Sequence, residues 1–235
     1  MKITILTLFP QMFVGPFDSS IVKRAKEKHL VDINIVNIRN YGLGKHKIVD
    51  DTIYGGGHGM LLRVDILHKA ISDQKIKSID KNTEKVFLLS ASGNTFTQDT
   101  AKKLSNLNHL ILICGHYEGV DARIREYIDG EVSIGDFILT GGEIPAMLIT
   151  DSVIRLIKGV LKEGVTENES FSYNFRDKKL KILEHPQYTK PKEYNKTSVP
   201  NVLLEGNHKK INEWKKTESI KITSIKRPDL LEKKA

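Results

Sequence analysis

Short strand-like runs of apolar residues, some alternating with polar ones and some continuous, punctuate the first two thirds of the chain. Such runs fall at Lys2–Phe9, Asp32–Ile38, Val86–Ser90, Leu110–Cys114 and Glu131–Ile134, and each reads as a strand. Between most of them the period lengthens to that of a helix, over Ser19–Lys28, Asp65–Asp73, Thr97–Leu104 and Asp121–Ile128. Alternating strand and helix predicts an α/β domain with a largely parallel sheet covered by helices. A further helix is expected over Glu143–Lys158, where Ile144, Met147, Leu148, Ile154 and Ile157 recur at helical spacing and Gly159 stands as a stop. From Lys162 the pattern is lost, and Gly164–Ser170 is polar enough for a mobile linker. Three prolines then precede a short helix in which Ile211 and Trp214 share a face. This gives a first domain over 1–161, a flexible linker over 162–175 and a small, mainly helical domain over 176–235.

Charge sharpens that division. Residues 1–169 hold 21 Lys+Arg against 21 Asp+Glu, whereas residues 170–235 hold 16 against 8 and carry the whole net charge of +8. A neutral body followed by a basic segment suggests a catalytic domain joined to one that binds a polyanion, although a lysine-rich surface alone would look the same. No apolar run reaches the ~18 residues of a membrane span, and the N-terminus enters a strand pattern without a signal peptide, so a cytoplasmic protein is expected. The single cysteine, Cys114, sits in the apolar run His109–Cys114 and reads as a buried strand thiol rather than a nucleophile.

Three glycine-rich segments could carry chemistry. Tyr54–Met60 fits neither a P-loop nor a dinucleotide fingerprint, and by itself reads as a loop. Cys114–Asp121 and Ser133–Glu143 each follow a strand and lead toward a helix, the position where ligands gather in open α/β sheets. Ile134, Phe137 and Leu139 would suit either a flat purine or an ordinary core. Hydrolytic and metal signatures such as H-E-x-x-H, G-x-S-x-G and C-x-x-C are absent from the sequence, which leaves a small organic cofactor bound through backbone and apolar contacts.

Taken together, Leu8-Phe9-Pro10, Tyr54–Met60, Gly115–Asp121 and Ser133–Glu143 resemble the bacterial tRNA (guanine-N1)-methyltransferases of the knotted SPOUT superfamily. The later stretches Gln187–Pro191, Val199–Leu204, Gly206-Asn207-His208 and Arg227–Leu231 agree, so the likeness spans nearly the whole chain in order. The resemblance implies a deep trefoil knot in the sheet, a feature that rules of chain connection would argue against. It also implies a homodimer with an active site shared between subunits. The activity implied is methylation of N1 of the guanine immediately 3′ of the anticodon, position 37 of tRNA. S-adenosylmethionine would be the methyl donor, with magnesium as a further candidate and no protein metal site.

Carried over by position, the cofactor site would use Leu88, Leu89, Ser90, Gly115, Tyr117, Glu118, Gly119, Ile134, Gly135, Asp136, Phe137, Ile138, Leu139, Gly141 and Gly142. Guanine N1 carries a proton at neutral pH, and negative charge builds at O6 when it is removed, so a carboxylate and a cation are needed. The family's catalytic aspartate and arginine positions read Glu169 and Arg155 here. Further departures are Ala91 and Ile53 where prolines are common, and Ile222 where arginine is frequent. A knotted methyltransferase acting elsewhere on RNA, and a catalytically silent RNA-binding protein, are the competing readings.

Overall fold

The computed structural model describes residues 1–76, 78, 80–175 and 178–231. The start expected at 176 for the last domain falls outside them. The chain forms two compact units, residues 1–161 and 162–235.

In the first unit the elements run β1 (Lys2–Thr7), α1 (Ser20–Glu27), β2 (Asp32–Asn37), β3 (Asp50–Thr52), β4 (Met60–Leu62), α2 (Val64–Gln74), β5 (Glu84–Thr95), α3 (Gln98–Leu104), β6 (His109–Cys114), β7 (Gly130–Ser133) and α4 (Glu143–Ile154). Five strands form one parallel sheet in the order β2-β1-β6-β5-β7. All six residues of β6 are buried. Its side chains divide by parity: Leu110, Leu112 and Cys114 join a core with Val22, Ala25, Ala146 and Ile149. Ile111 and Ile113 face the opposite way, into a core with Ile66, Leu67, Ala70 and Ile71. A strand buried on both faces needs this continuous apolar run, and helices cover the sheet on either side. A buried polar link crosses three of the strands: His109 Nε2 lies 2.9 Å from Thr4 Oγ1, and its Nδ1 lies 2.7 Å from Glu84 Oε2.

Several elements differ from the sequence expectation. The strand expected at Val86–Ser90 continues to Thr95, because β7 pairs with it twice: Val132 stands opposite both Leu89 and Asn94, and residues between them loop out. A Cβ on Gly93 would run into the backbone of Glu131 and Val132, so only glycine allows this approach. The helix expected at Asp121–Ile128 is a six-residue 3₁₀ helix, Ala122–Tyr127, started by the Asp121 carboxylate accepting the N–H of Arg123 at 3.0 Å. The helix expected to reach Lys158 stops at Ile154, where the N–H groups of Leu156 and Ile157 bond three residues back and tighten the chain into turns.

The second unit contains two antiparallel hairpins, β8 (Tyr173–Phe175) with β9 (Lys178–Ile182) and β10 (Glu193–Tyr194) with β11 (Thr197–Ser198), and one long helix, α5 (His208–Lys226). Helix α5 is its longest element, and the two hairpins are features that the sequence pattern did not suggest. Residues 162–175 cluster with this unit and lie mostly in turns. Their end is fastened there: the Phe171 N–H bonds Ile182 O at 3.0 Å, and Ser170 Oγ accepts from the Glu184 N–H at 3.0 Å.

Candidate functional site

After β5 the chain moves to one side of that strand, and after β6 it returns past it to the other, so the direction of winding reverses at the carboxyl ends of β5 and β6. Ligands of parallel sheets gather at the strand ends where the order reverses. A cleft of about 390 Å³ lies there, walled by residues 88–91, 115–120, 132–135 and 137–142 together with Pro145. The first wall is the end of the straight part of β5, the second is the turn that leaves β6, and the third joins β7 to α4.

Hydrogen bonds hold these walls to one another. Gly142 N–H donates to Gly115 O at 2.9 Å, and a Cβ on Gly142 would meet Cys114 Cα at 2.6 Å, so the third wall lies directly on the second. The β3–β4 hairpin braces the second wall from outside: Glu118 N–H donates to Met60 O, Leu62 N–H to Gly119 O and Asp121 N–H to Leu62 O. The glycine loop Tyr54–Met60 is thus the tip of a hairpin seated against Glu118, and a side chain at Gly59 would collide with Glu118 Cγ at 2.5 Å. Within the third wall Ser133 Oγ bonds both the carbonyl and the N–H of Gly135.

Apolar groups are unusually open on this lining. Phe137, Ile138 and Leu139 are all exposed, Ile138 by 83%. Behind them lie polar groups. Glu143, at the start of α4, is only 2% exposed and accepts a 2.7 Å bond from Thr7 Oγ1. The His116 ring packs against Phe9 and Tyr117, with centroids 4.8 and 5.0 Å away, and its Nδ1 is buried without a hydrogen-bond partner. A side chain at Gly141 would be driven between Glu143 Oε2 and His116 Nδ1. Cys114 beneath the cleft is fully buried, and burial, reinforced by the Glu143 carboxylate, holds its thiol well above the ordinary range and protonated.

Fourteen of the fifteen residues anticipated for a cofactor line this cleft; the other, Asp136, is exposed and lies off the lining. The lining also contains Ala91, His116, Val120, Val132, Ser133, Thr140 and Pro145, which the sequence reading left out. All but Ala91, Val132 and Pro145 lie inside the two glycine-rich segments quoted from the sequence, so their position was itself the signal. Arg155 caps the C-terminus of α4 and is half-buried. Glu169 is half-buried in the second unit, where its carbonyl accepts the Ser172 N–H at 3.0 Å. Among the described residues no three His, Cys, Asp or Glu side chains gather as for a metal ion, and no helix is long and apolar enough to cross a membrane.

The family model for tRNA (guanine-1)-methyltransferase, TrmD, matches residues 1–233. The chain is 49% identical over 234 residues to a tRNA (guanine-N1)-methyltransferase of Dictyoglomus turgidum, covering 99% of this chain and 91% of that protein. The same name belongs to relatives from Desulforudis audaxviator, 48% identical with 99% and 90% coverage, and Bacillus pumilus, 50% identical with 99% and 92% coverage. On this full-length similarity, the chain belongs to the tRNA (guanine-N1)-methyltransferase family.

Proposed function

We propose that this protein transfers a methyl group from S-adenosylmethionine to N1 of the guanine immediately 3′ of the anticodon, position 37 of tRNA, yielding 1-methylguanine. The observation that carries the reading is the convergence of three separate wall segments on one cleft at the carboxyl ends of β5, β6 and β7, in a chain of this family. The cleft falls within the ~300–1,000 Å³ usual for small-molecule sites.

The residues present fit the cofactor. Ile134, Phe137 and Leu139 offer apolar surface to an adenine ring, and backbone groups around Gly115, Gly119 and Gly141 are open to its polar edges. The partnerless His116 Nδ1 leaves one buried polar atom for a ligand or an ordered water to satisfy. When bound, S-adenosylmethionine supplies an electrophilic methyl group. The protein's part is to hold the guanine and manage its proton. The Glu169 carboxylate takes the N1 proton, and the Arg155 guanidinium faces the negative charge that accumulates at O6.

The two units divide this work: residues 1–161 hold the cofactor, and residues 176–235 of the second unit grip the tRNA backbone with their excess of lysines, inside the cytoplasm. The double pairing of β7 on β5 and the close passages at Gly93 and Gly142 support a chain threaded as a trefoil knot. The exposed pair Ile144 and Leu148, one turn apart on α4, supports a homodimer, with Glu169 of one subunit serving the cleft of the other. Magnesium, which usually takes only one or two carboxylates beside phosphate oxygens, is a further candidate partner of the protein–tRNA complex.

The test is single-turnover methylation of a tRNA transcript, with the product nucleoside located by mass mapping. Glu169→Gln should keep cofactor affinity and slow transfer by roughly 10²–10⁴-fold. A rate like that of the unaltered protein would remove Glu169 from the mechanism, and methylation at another base would overturn the assignment of position 37.

A further inference from the structure

We infer that Ser90 is held in the cleft wall as a hydrogen-bond acceptor only, by a relay through Ser92, Glu131 and Arg125, and that it reads an O–H or N–H donor of the nucleoside cofactor. The inference rests on the proposal that the cleft binds S-adenosylmethionine.

The direction of each bond follows from counting protons. Arg125 Nε lies 2.6 Å from Glu131 Oε1, and a guanidinium can only donate. Glu131 has 14% of its side chain exposed. Burial acts to raise its carboxyl, but hydrogen bonds from Arg125, Ser92 and Ser90 outweigh it and hold the group below the ordinary carboxylate range. It is therefore ionised at neutral pH and accepts at both oxygens. The 2.7 Å bond between Ser92 Oγ and Glu131 Oε2 must then use the one hydroxyl proton of Ser92. Ser90 Oγ and Ser92 Oγ are 2.8 Å apart, and with the Ser92 proton committed to Glu131, the one Ser90 proton is spent inside the relay, on Ser92 Oγ or on the Glu131 carboxylate itself. The Ser92 N–H takes one lone pair of Ser90 Oγ at 3.3 Å. What remains on Ser90, a residue of the cleft lining, is an acceptor site and no proton.

The fold explains why the relay exists. Leu89 and Asn94 both pair with Val132, so residues 90–93 leave the ladder as a loop beside Glu131, which precedes Val132 on β7. Ser92 fastens that loop to β7. A chain of hydroxyls ending on a carboxylate also polarises its first oxygen, which strengthens Ser90 as an acceptor. Ser92 and Glu131 never touch the ligand in this scheme; they are positioning residues.

Calorimetry on the full chain decides the matter, with S-adenosylhomocysteine as the reference ligand. Four probes each lack one set of donors: its 2′-deoxy, 3′-deoxy and N6,N6-dimethyl analogues, and 5′-methylthioadenosine, which lacks the amino-acid ammonium. Ser92→Ala and Glu131→Gln should each weaken S-adenosylhomocysteine binding by roughly three- to tenfold, the effect of one net hydrogen bond. That penalty should vanish for the one probe that lacks the donor read by Ser90. A merely structural role for the relay predicts the same penalty with all four probes, and that result overturns the inference. So does unchanged affinity in both variants. Ser92 is exposed, so Ser92→Ala keeps the test open if Glu131→Gln fails to fold. Absence of S-adenosylhomocysteine binding by the unaltered protein would instead overturn the cofactor reading itself, a distinct outcome.

Discussion

In the first unit the central strand β6 buries six residues, five of them apolar or sulfur-bearing; in the second, the long helix α5 buries only Ser219 and Thr223. The contrast extends to what those residues do. Leu112 fills space between sheet and helices. Thr223 Oγ1 accepts the Leu183 N–H at 2.9 Å and donates to Ser219 O at 2.6 Å, so it fixes one strand end to one helix turn. Apolar packing is non-directional and grows with area, and it suits a unit that must keep three loops in register around a cleft. A helix held by this polar seam and by half-buried residues such as Trp214, whose ring meets His185 and Tyr188, leaves its remaining surface for lysines such as Lys209, Lys210 and Lys216. The lesson is that the two units are stabilised by different kinds of contact because one presents a cavity and the other a surface.

The most drastic way to break this comparison is to remove residues 162–235. The remaining unit should still unfold cooperatively, while tRNA affinity falls on the order of 10³-fold or more and loses most of its salt dependence, as several phosphate contacts disappear. An unchanged salt slope in filter binding would mean that the basic charge is not where the RNA sits. A milder probe compares one core residue from each unit. Leu112→Ala should cost about 2–5 kcal/mol in urea unfolding, through lost burial and the cavity left behind. Thr223→Val should cost about 1–3 kcal/mol, because the Leu183 N–H loses its partner. Equal costs with equal heat-capacity changes would erase the distinction between the seams.

The smallest effect concerns the buried polar link at His109 in the apolar sheet. Burial lowers the pKa of His109 from its ordinary 6.5, against the opposing pull of Glu84. The native imidazole therefore stays neutral while the unfolded chain takes up a proton. Stability is complete above pH 6.5 and is lost as pH falls from there to the lowered native pKa, by at most ~1.4 kcal/mol per pH unit. Urea midpoints of the unaltered protein and His109→Gln, measured from pH 7.5 to 5, should diverge in that sense. Greater stability on acidification would reverse the sign and refute the account.

All five strands of the main sheet were legible in the sequence, β6 most plainly, because burial on both faces forces a continuous apolar run such as His109–Cys114. The extension of β5 past Ser90 was not, since Ala91-Ser92-Gly93-Asn94-Thr95 carries no apolar alternation and is ordered by what β7 does elsewhere. Hairpins β3–β4, β8–β9 and β10–β11 also escaped, being short strands whose pairing depends on partners and turns more than on a hydrophobic face. In the site, the strand-end turns were readable from the general rule for parallel sheets, and the glycines marked the places where backbones touch. His116 was overlooked because nothing in its neighbours announces a buried, partnerless nitrogen. Glu169 and Arg155 had no signal of their own; only the family pattern singled them out.

The pairing of β1 bears on how the molecule is made. Lys2 pairs with Asp32 on one side and with His109 on the other. During synthesis at ~5–20 residues per second, β1, α1 and β2 emerge early and can join, yet the other edge of β1 must wait several seconds for β6. The cleft waits longer, because its third wall ends at Gly142. Until then the nascent chain carries an open, apolar strand edge, the kind of surface that recruits a neighbour's strand or a chaperone. Parallel partners so distant in sequence also make closure slow. Ribosome-bound chains truncated just before His109 should therefore be the most prone to aggregate, and those released after α4 should be the first able to capture a cofactor.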